Sequence, residues 1–177
     1  VSATAPLTDA QKSSLNGFLA KHAEAIKTGN DAAAADESRG AVVAVLRDPA
    51  ATTQFRRAVA TALAGELGAV VKGTDNRRAI VAMQVLRFTR SQEAIDLILE
   101  RTSPSAERDA GKRIAAASLV SDAFEDLDAS NTYVETVARR LRDACASESD
   151  PIALQQKLVA IAGSARRKDL TPENVRA

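Results

Sequence analysis

Tryptophan is missing from this 177-residue chain, and histidine, cysteine, methionine and tyrosine occur once each. The lone cysteine, Cys145, excludes an internal disulfide framework. The lone histidine, His22, excludes a His-rich metal site, and any His-dependent nucleophile system would rest on that one residue. Four Phe and one Tyr are too few for rows of stacked bases. Twenty-four basic residues face 23 acidic ones, so the net charge is +1 and no field of one sign covers the molecule. No apolar run approaches the ~20 residues of a membrane-spanning helix. Gly-rich phosphate loops, Gly-x-Ser-x-Gly, Cys-x-x-Cys and His-Glu-x-x-His are all absent. Nothing in the sequence proposes an enzyme, a metal or a cofactor, and a non-catalytic chain is expected.

Alanine is abundant instead, at 37 positions. It favours helix at every step, and its small side chain lets helices approach closely. Apolar residues at 45% with 27% charged residues support a folded core rather than disorder. Seventeen Arg against seven Lys suggest a GC-rich bacterial coding sequence. The opening Val1-Ser2-Ala3-Thr4-Ala5-Pro6 suits the mature terminus of an exported or periplasmic protein, and equally a trimmed cytoplasmic chain. Residues 1–7 are read as an extended leader.

Four of the five prolines directly follow a residue suited to cap a helix: Asp48-Pro49, Ser103-Pro104, Asp150-Pro151 and Thr171-Pro172. A cap oxygen accepts from a free N–H of the first turn, and proline fits the next position because no partner is needed there. The periodicity then predicts eight helices. The first runs from a Thr8/Gln11 capping box to Lys27, with Leu15, Phe18, Leu19, His22 and Ile26 on one face. The second runs from Asp31 to Arg47. The third starts at Pro49 or Thr53 and continues through Gly65 and Gly68 to Gly73. The fourth, 75–90, is apolar on most sides and is expected to be central. Ser91 caps a fifth that ends near Arg101. The sixth follows Pro104 to Phe124, burying Ile114, Ala117, Leu119, Val120 and Phe124. The seventh starts at Ser130, with a seam of Val134, Val137, Ala138, Leu141 and Cys145. The eighth starts at Pro151, with Leu154, Leu158, Ile161, Ala162 and Ala165 expected to face inward. No segment alternates β-branched residues long enough for a strand.

Four segments look alike: Ala41 to Leu46, Ala79 to Leu86, Arg113 to Val120 and Lys157 to Ala162. Anchored on Val42, Ile80, Ile114 and Leu158, they are spaced by 38, 34 and 44 residues. Two helices per irregular period near forty is how HEAT and armadillo arrays present themselves. Across residues 31–170 the chain resembles a HEAT-like α-helical repeat protein. The resemblance implies an α-solenoid of stacked antiparallel helical hairpins, with a closed helical bundle as the alternative. It also implies a scaffold or adaptor that binds another protein through surfaces lined by one helix of each pair. It designates no functional residue. Residues 8–170 are therefore one expected repeat domain. Residues 171–177, opening on Thr171-Pro172, read as the first turn of a further helix or as a cap that folds back.

Candidate chemistry is sparse. His22 lies on an apolar stripe, where a core-edge imidazole bonded to a carbonyl is the expected role. Cys145 lies on the seam of its helix and is expected to act as a small hydrophobe. Asp122, Glu125, Asp126 and Asp128 lack the spacing of a calcium loop. The arginine pairs provide a candidate interaction surface, named here by Arg56, Arg77, Arg87, Arg139, Arg140, Arg166 and Arg167. Aligned along one groove, they would bind an acidic partner or a nucleic-acid backbone, which is the alternative to protein binding.

Overall fold

Residues 7–29, 31–124, 127 and 129–165 are described by a computed structural model. Among them the chain is all-α, with eight helices and no strand. The described residues divide between Leu97 and Ile98 into two compact units, where the sequence reading treats residues 8–170 as one repeat domain.

The first unit holds α1 (Asp9–Thr28), α2 (Ala32–Arg47), α3 (Thr53–Lys72) and α4 (Asn76–Arg87). Each begins at a side-chain cap. The Thr8/Gln11 box is complete on α1, and Asp31, Thr52 and Asp75 accept from the first turns of α2, α3 and α4. α1 packs on α2, α3 and α4, and α4 also packs on α2 and α3. That placement matches the apolar pattern of α4: Ala79, Val81, Ala82, Met83, Val85 and Leu86 are all buried. α3 runs unbroken through both glycines. A methyl group on Gly65 would meet open space, and on Gly68 an ordinary contact with Leu97, so neither glycine is demanded by a close helix crossing. α5 (Gln92–Glu100) contains the point where the chain divides, and its Ala94, Ile95, Ile98 and Leu99 are buried.

The second unit contains α6 (Ala110–Ala123), α7 (Asn131–Ala146) and α8 (Pro151–Ser164). Both α6 and α7 pack on α8. Ser130 and Asp150 cap α7 and α8, and Pro151 occupies the first turn of α8 as its sequence predicts.

Two of the proline signals mark turns and not helix starts. Asp48 accepts from the Ala50 N–H at 2.8 Å, and its carbonyl accepts from Ala51 at 2.9 Å; α3 starts later, under Thr52. Ser103 behaves alike toward Ser105 and Ala106, and α6 starts at Ala110 under Asp109. A side-chain oxygen bonded two residues ahead satisfies a turn as well as a first helical turn, so the local signal is shared. The Thr171-Pro172 signal lies outside the described residues.

Candidate interaction face on α8 and the ion cluster beneath it

α8 is rotated away from its expected orientation. Its buried residues are Ala153, Lys157, Ala160 and Ser164, spaced four, three and four apart along one face. Leu158, expected inside, is 53% exposed, and Ala162 and Ala165 are exposed as well; Leu154 and Ile161 are only half-buried. Ile152 and Val159 also face outward, at 56% and 48%. Lys157 is the single ionisable residue of α8, and it points inward with none of its surface accessible. Among the described residues the outward side is therefore uncharged, with Ile152, Leu158 and Val159 standing around the exposed Gln155.

The cause lies beneath the helix. The Glu148 carboxylate, fully buried at the α7–α8 connection, accepts from Arg113 Nε at 2.7 Å and from a second Arg113 nitrogen at 2.8 Å. It also accepts from Lys157 Nζ at 2.7 Å and from the Asp150 N–H at 2.9 Å. Lys157 donates further to the Ala144 carbonyl at 3.1 Å, near the end of α7. The remaining Arg113 nitrogen donates to the carbonyls of Glu107 and Arg108, at 3.1 and 2.8 Å. Glu107, itself buried, accepts from Lys112 Nζ at 2.7 Å and from the Asp109 N–H at 2.9 Å. The cluster thus ties α6, the loop before it, the end of α7 and the middle of α8.

A forked guanidinium on a carboxylate gives two short charge-assisted bonds in one plane. Arg113 accordingly holds Glu148 well below the usual carboxylate range, at about 2, against the opposing cost of burial, with Lys157 adding to the effect. The same bond raises Arg113. Turning α8 to bury Leu158 would withdraw Lys157 and strip one cation from Glu148. Removing a partner from a buried pair costs on the order of 3–5 kcal/mol. Burying two or three aliphatic side chains that are already half covered returns less, at roughly 1 kcal/mol each. The ion cluster wins, and the aliphatic side chains stay outside.

α6 is turned in the same sense. Lys112, Arg113, Ala116, Ala117, Val120 and Ala123 are buried, while Ile114 and Leu119 are half-buried. Three of the look-alike segments consequently share one burial phase. The residue before the anchor, and those two and six after it, are buried in each: Ala79, Ala82, Leu86; Arg113, Ala116, Val120; Lys157, Ala160, Ser164. The segment on α2 differs, with Val42 buried and Ala44 exposed. α7 keeps Val134, Val137 and Leu141 inside, together with Ala144, while Ala138 and Cys145 are half-buried.

The arginines named from the sequence have varied fates. Arg56 donates to the Leu46 carbonyl at 3.2 Å and the Asp48 carbonyl at 3.4 Å, closing the end of α2. Arg77 lies 3.7 Å from Asp36. Arg87 and Arg47 both stack on the Phe88 ring, at 4.7 and 4.6 Å. Arg139 and Arg140 are exposed on α7. Arg166 and Arg167 lie outside the described residues. Arg78, not singled out from the sequence, donates to the Lys27 carbonyl at 2.7 Å and the Gly29 carbonyl at 3.3 Å, closing the end of α1.

His22 is half-buried and edge-on to Phe18, with centroids 4.5 Å apart. The expected carbonyl bond is not formed: Nδ1 is buried without a hydrogen-bond partner among the described residues. Burial and Lys21 lower its pKa, against a smaller opposing effect of Glu37. Burial raises the Cys145 thiol, as expected of a small hydrophobe; Lys157 opposes this and Glu148 adds to it. Among the described residues no three His, Cys, Asp or Glu side chains are grouped as metal ligands, and no helix is long and apolar enough to cross a membrane.

The ion cluster left a trace in the sequence. A solitary lysine in an otherwise uncharged helix, flanked at helical spacing by Ala153 and Ala160, marks a charge on the small-residue side. The third member of the cluster leaves no such local trace, because Arg113 lies 35 residues before Glu148. No protein-family profile matches the chain, and no curated protein matches it.

Proposed function

We propose that this chain is a non-catalytic interaction scaffold or adaptor built from HEAT-like helical hairpins, and that the outward side of α8 is a contact surface for protein. The observation that carries this reading is Ile152, Leu158 and Val159 standing about half exposed on a helix whose only charge is turned inward. Large aliphatic side chains exposed together on one helix favour an interaction site, and helix faces docked into a partner's groove are a recurring form of it. The polyanion alternative draws on Arg139 and Arg140, but Arg56 and Arg87 are engaged with the chain's own carbonyls and ring.

The test compares wild type with an Ile152→Glu/Val159→Glu variant as bait in extracts of the source cells. A polypeptide retained by wild type and lost by the variant is expected. Identical retention by both, with the variant's fold intact by circular dichroism, would refute the reading.

A further inference from the structure

α8 carries two stripes of the same helical spacing, one residue apart. Ala153, Lys157, Ala160 and Ser164 face inward. Leu154, Leu158, Ile161 and Ala165 repeat the spacing of four, three and four, and a helix of 3.6 residues per turn sets them about 100° away. The second stripe is the more apolar, yet Leu158 and Ala165 are exposed while Leu154 and Ile161 are half-buried. One residue in the other direction the stripe is Ile152, Gln156, Val159 and Gly163, with an amide in its middle. Apolar surface therefore singles out one alternative packing of α8, a roll of one residue that turns Leu158 inward.

We infer that α8 has two packing positions related by this roll, and that Glu148 is the latch that holds the observed one. The bonds around Glu148 identify the group that moves. Arg113 donates to the carbonyls of Glu107 and Arg108 as well as to Glu148, so its guanidinium keeps two acceptors when the carboxylate charge is lost. Among the described residues Lys157 keeps one, the Ala144 carbonyl. A buried ammonium without a counter-ion is strongly disfavoured, and its long stem reaches water after a modest turn of the helix. The roll that brings Lys157 toward the surface also takes Leu158 inside, so loss of the anion and burial of the aliphatic stripe favour the same movement. Leu and Ile in the places of Ala stand α8 further off α6 and α7, a change that fits within the usual helix spacing of about 8–10 Å. Ile152 and Val159 face outward in both positions, whereas Leu158 is displayed only in the latched one. Glu148 has no accessible side-chain surface, so it sets what α8 displays without belonging to that surface.

Single thiols report the roll. In a Cys145→Ser background, Leu158→Cys, Val159→Cys or Ala160→Cys is alkylated by iodoacetamide in the native protein. With Glu148 in place, positions 158 and 159 should react fast and position 160 slowly. Adding Glu148→Gln should reverse the order of 158 and 160, each rate changing by roughly tenfold or more, with position 159 fast throughout. Arg113→Met/Glu148→Gln serves as the second variant should Glu148→Gln alone not fold; it leaves Lys157 as the lone ion of the trio and should give the same reversal. An unchanged order of rates in a folded variant overturns the inference, because α8 then keeps its position without the charge. Uniformly fast reaction at all three positions in both variants also overturns it, because the hub then holds the fold and no second position exists. The inference goes beyond the reading of α8 as a contact face and is separable from it. A roll with no polypeptide retained leaves the latch without the contact face, and retention with no roll leaves the contact face without the latch.

Discussion

Replacing Glu148 by Gln preserves the shape of the buried hub and removes its charge, leaving Arg113 and Lys157 against a neutral amide. The folded carboxyl titrates at about 2 against an ordinary 4.5. At about 1.4 kcal/mol per unit, this difference corresponds to about 3 kcal/mol of stability at pH 7. The pKa is depressed on folding, so this stability is complete above the unfolded value and drains as pH falls from about 5 toward 2. Linkage leaves roughly 1 kcal/mol of it at pH 3. Urea unfolding of wild type and Glu148→Gln, followed by circular dichroism, should give a gap of about 3 kcal/mol at pH 7 that shrinks by more than half at pH 3. A gap below about 0.5 kcal/mol at neutral pH, or one that does not change with pH, would refute the claim that the hub stabilises the second unit through charge.

Three further outcomes follow from contacts elsewhere. Arg78→Ala should cost about 1–2 kcal/mol by unpairing the α1 carbonyls, whereas Arg77→Ala, with an exposed ion partner, should stay within about 0.5 kcal/mol by thermal unfolding. His22 is lowered on folding, so protonation favours the unfolded chain, and stability should decline as pH falls below about 6.5. Between pH 7 and 5, His22→Gln should flatten that slope in unfolding titrations. Cys145, raised by burial, should react with iodoacetamide at pH 7 several-fold more slowly in the native protein than in urea.

The helix boundaries were legible where the signal is local. Thr8, Asp31, Ser91, Ser130 and Asp150 each bond within three residues, so a short window of sequence contains the whole interaction. Pro49 and Pro104 misled because the turns before them use the same oxygen-to-amide bond. The orientation of α8 was not legible. Hydrophobic periodicity assigns Leu154, Leu158 and Ile161 to the core, and it is overridden by a charge hub whose members are scattered over 44 residues, from Arg113 to Lys157. The candidate surface is visible only once that hub is known, because what is exposed on α8 is set by what is held beneath it.

The order in which the hub's members are made has a consequence for biogenesis. Arg113 is synthesised 35 residues ahead of Glu148, and Lys157 follows nine residues later. At 5–20 residues per second, the guanidinium waits roughly 2–7 s for its anion during translation. Until then burying the unpaired Arg113 guanidinium would cost several kcal/mol, which opposes the burial of the apolar face of α6. The hub of the second unit can therefore be completed only after Lys157 has been made, so a nascent chain stalled within α7 holds Arg113 without its buried counter-ion.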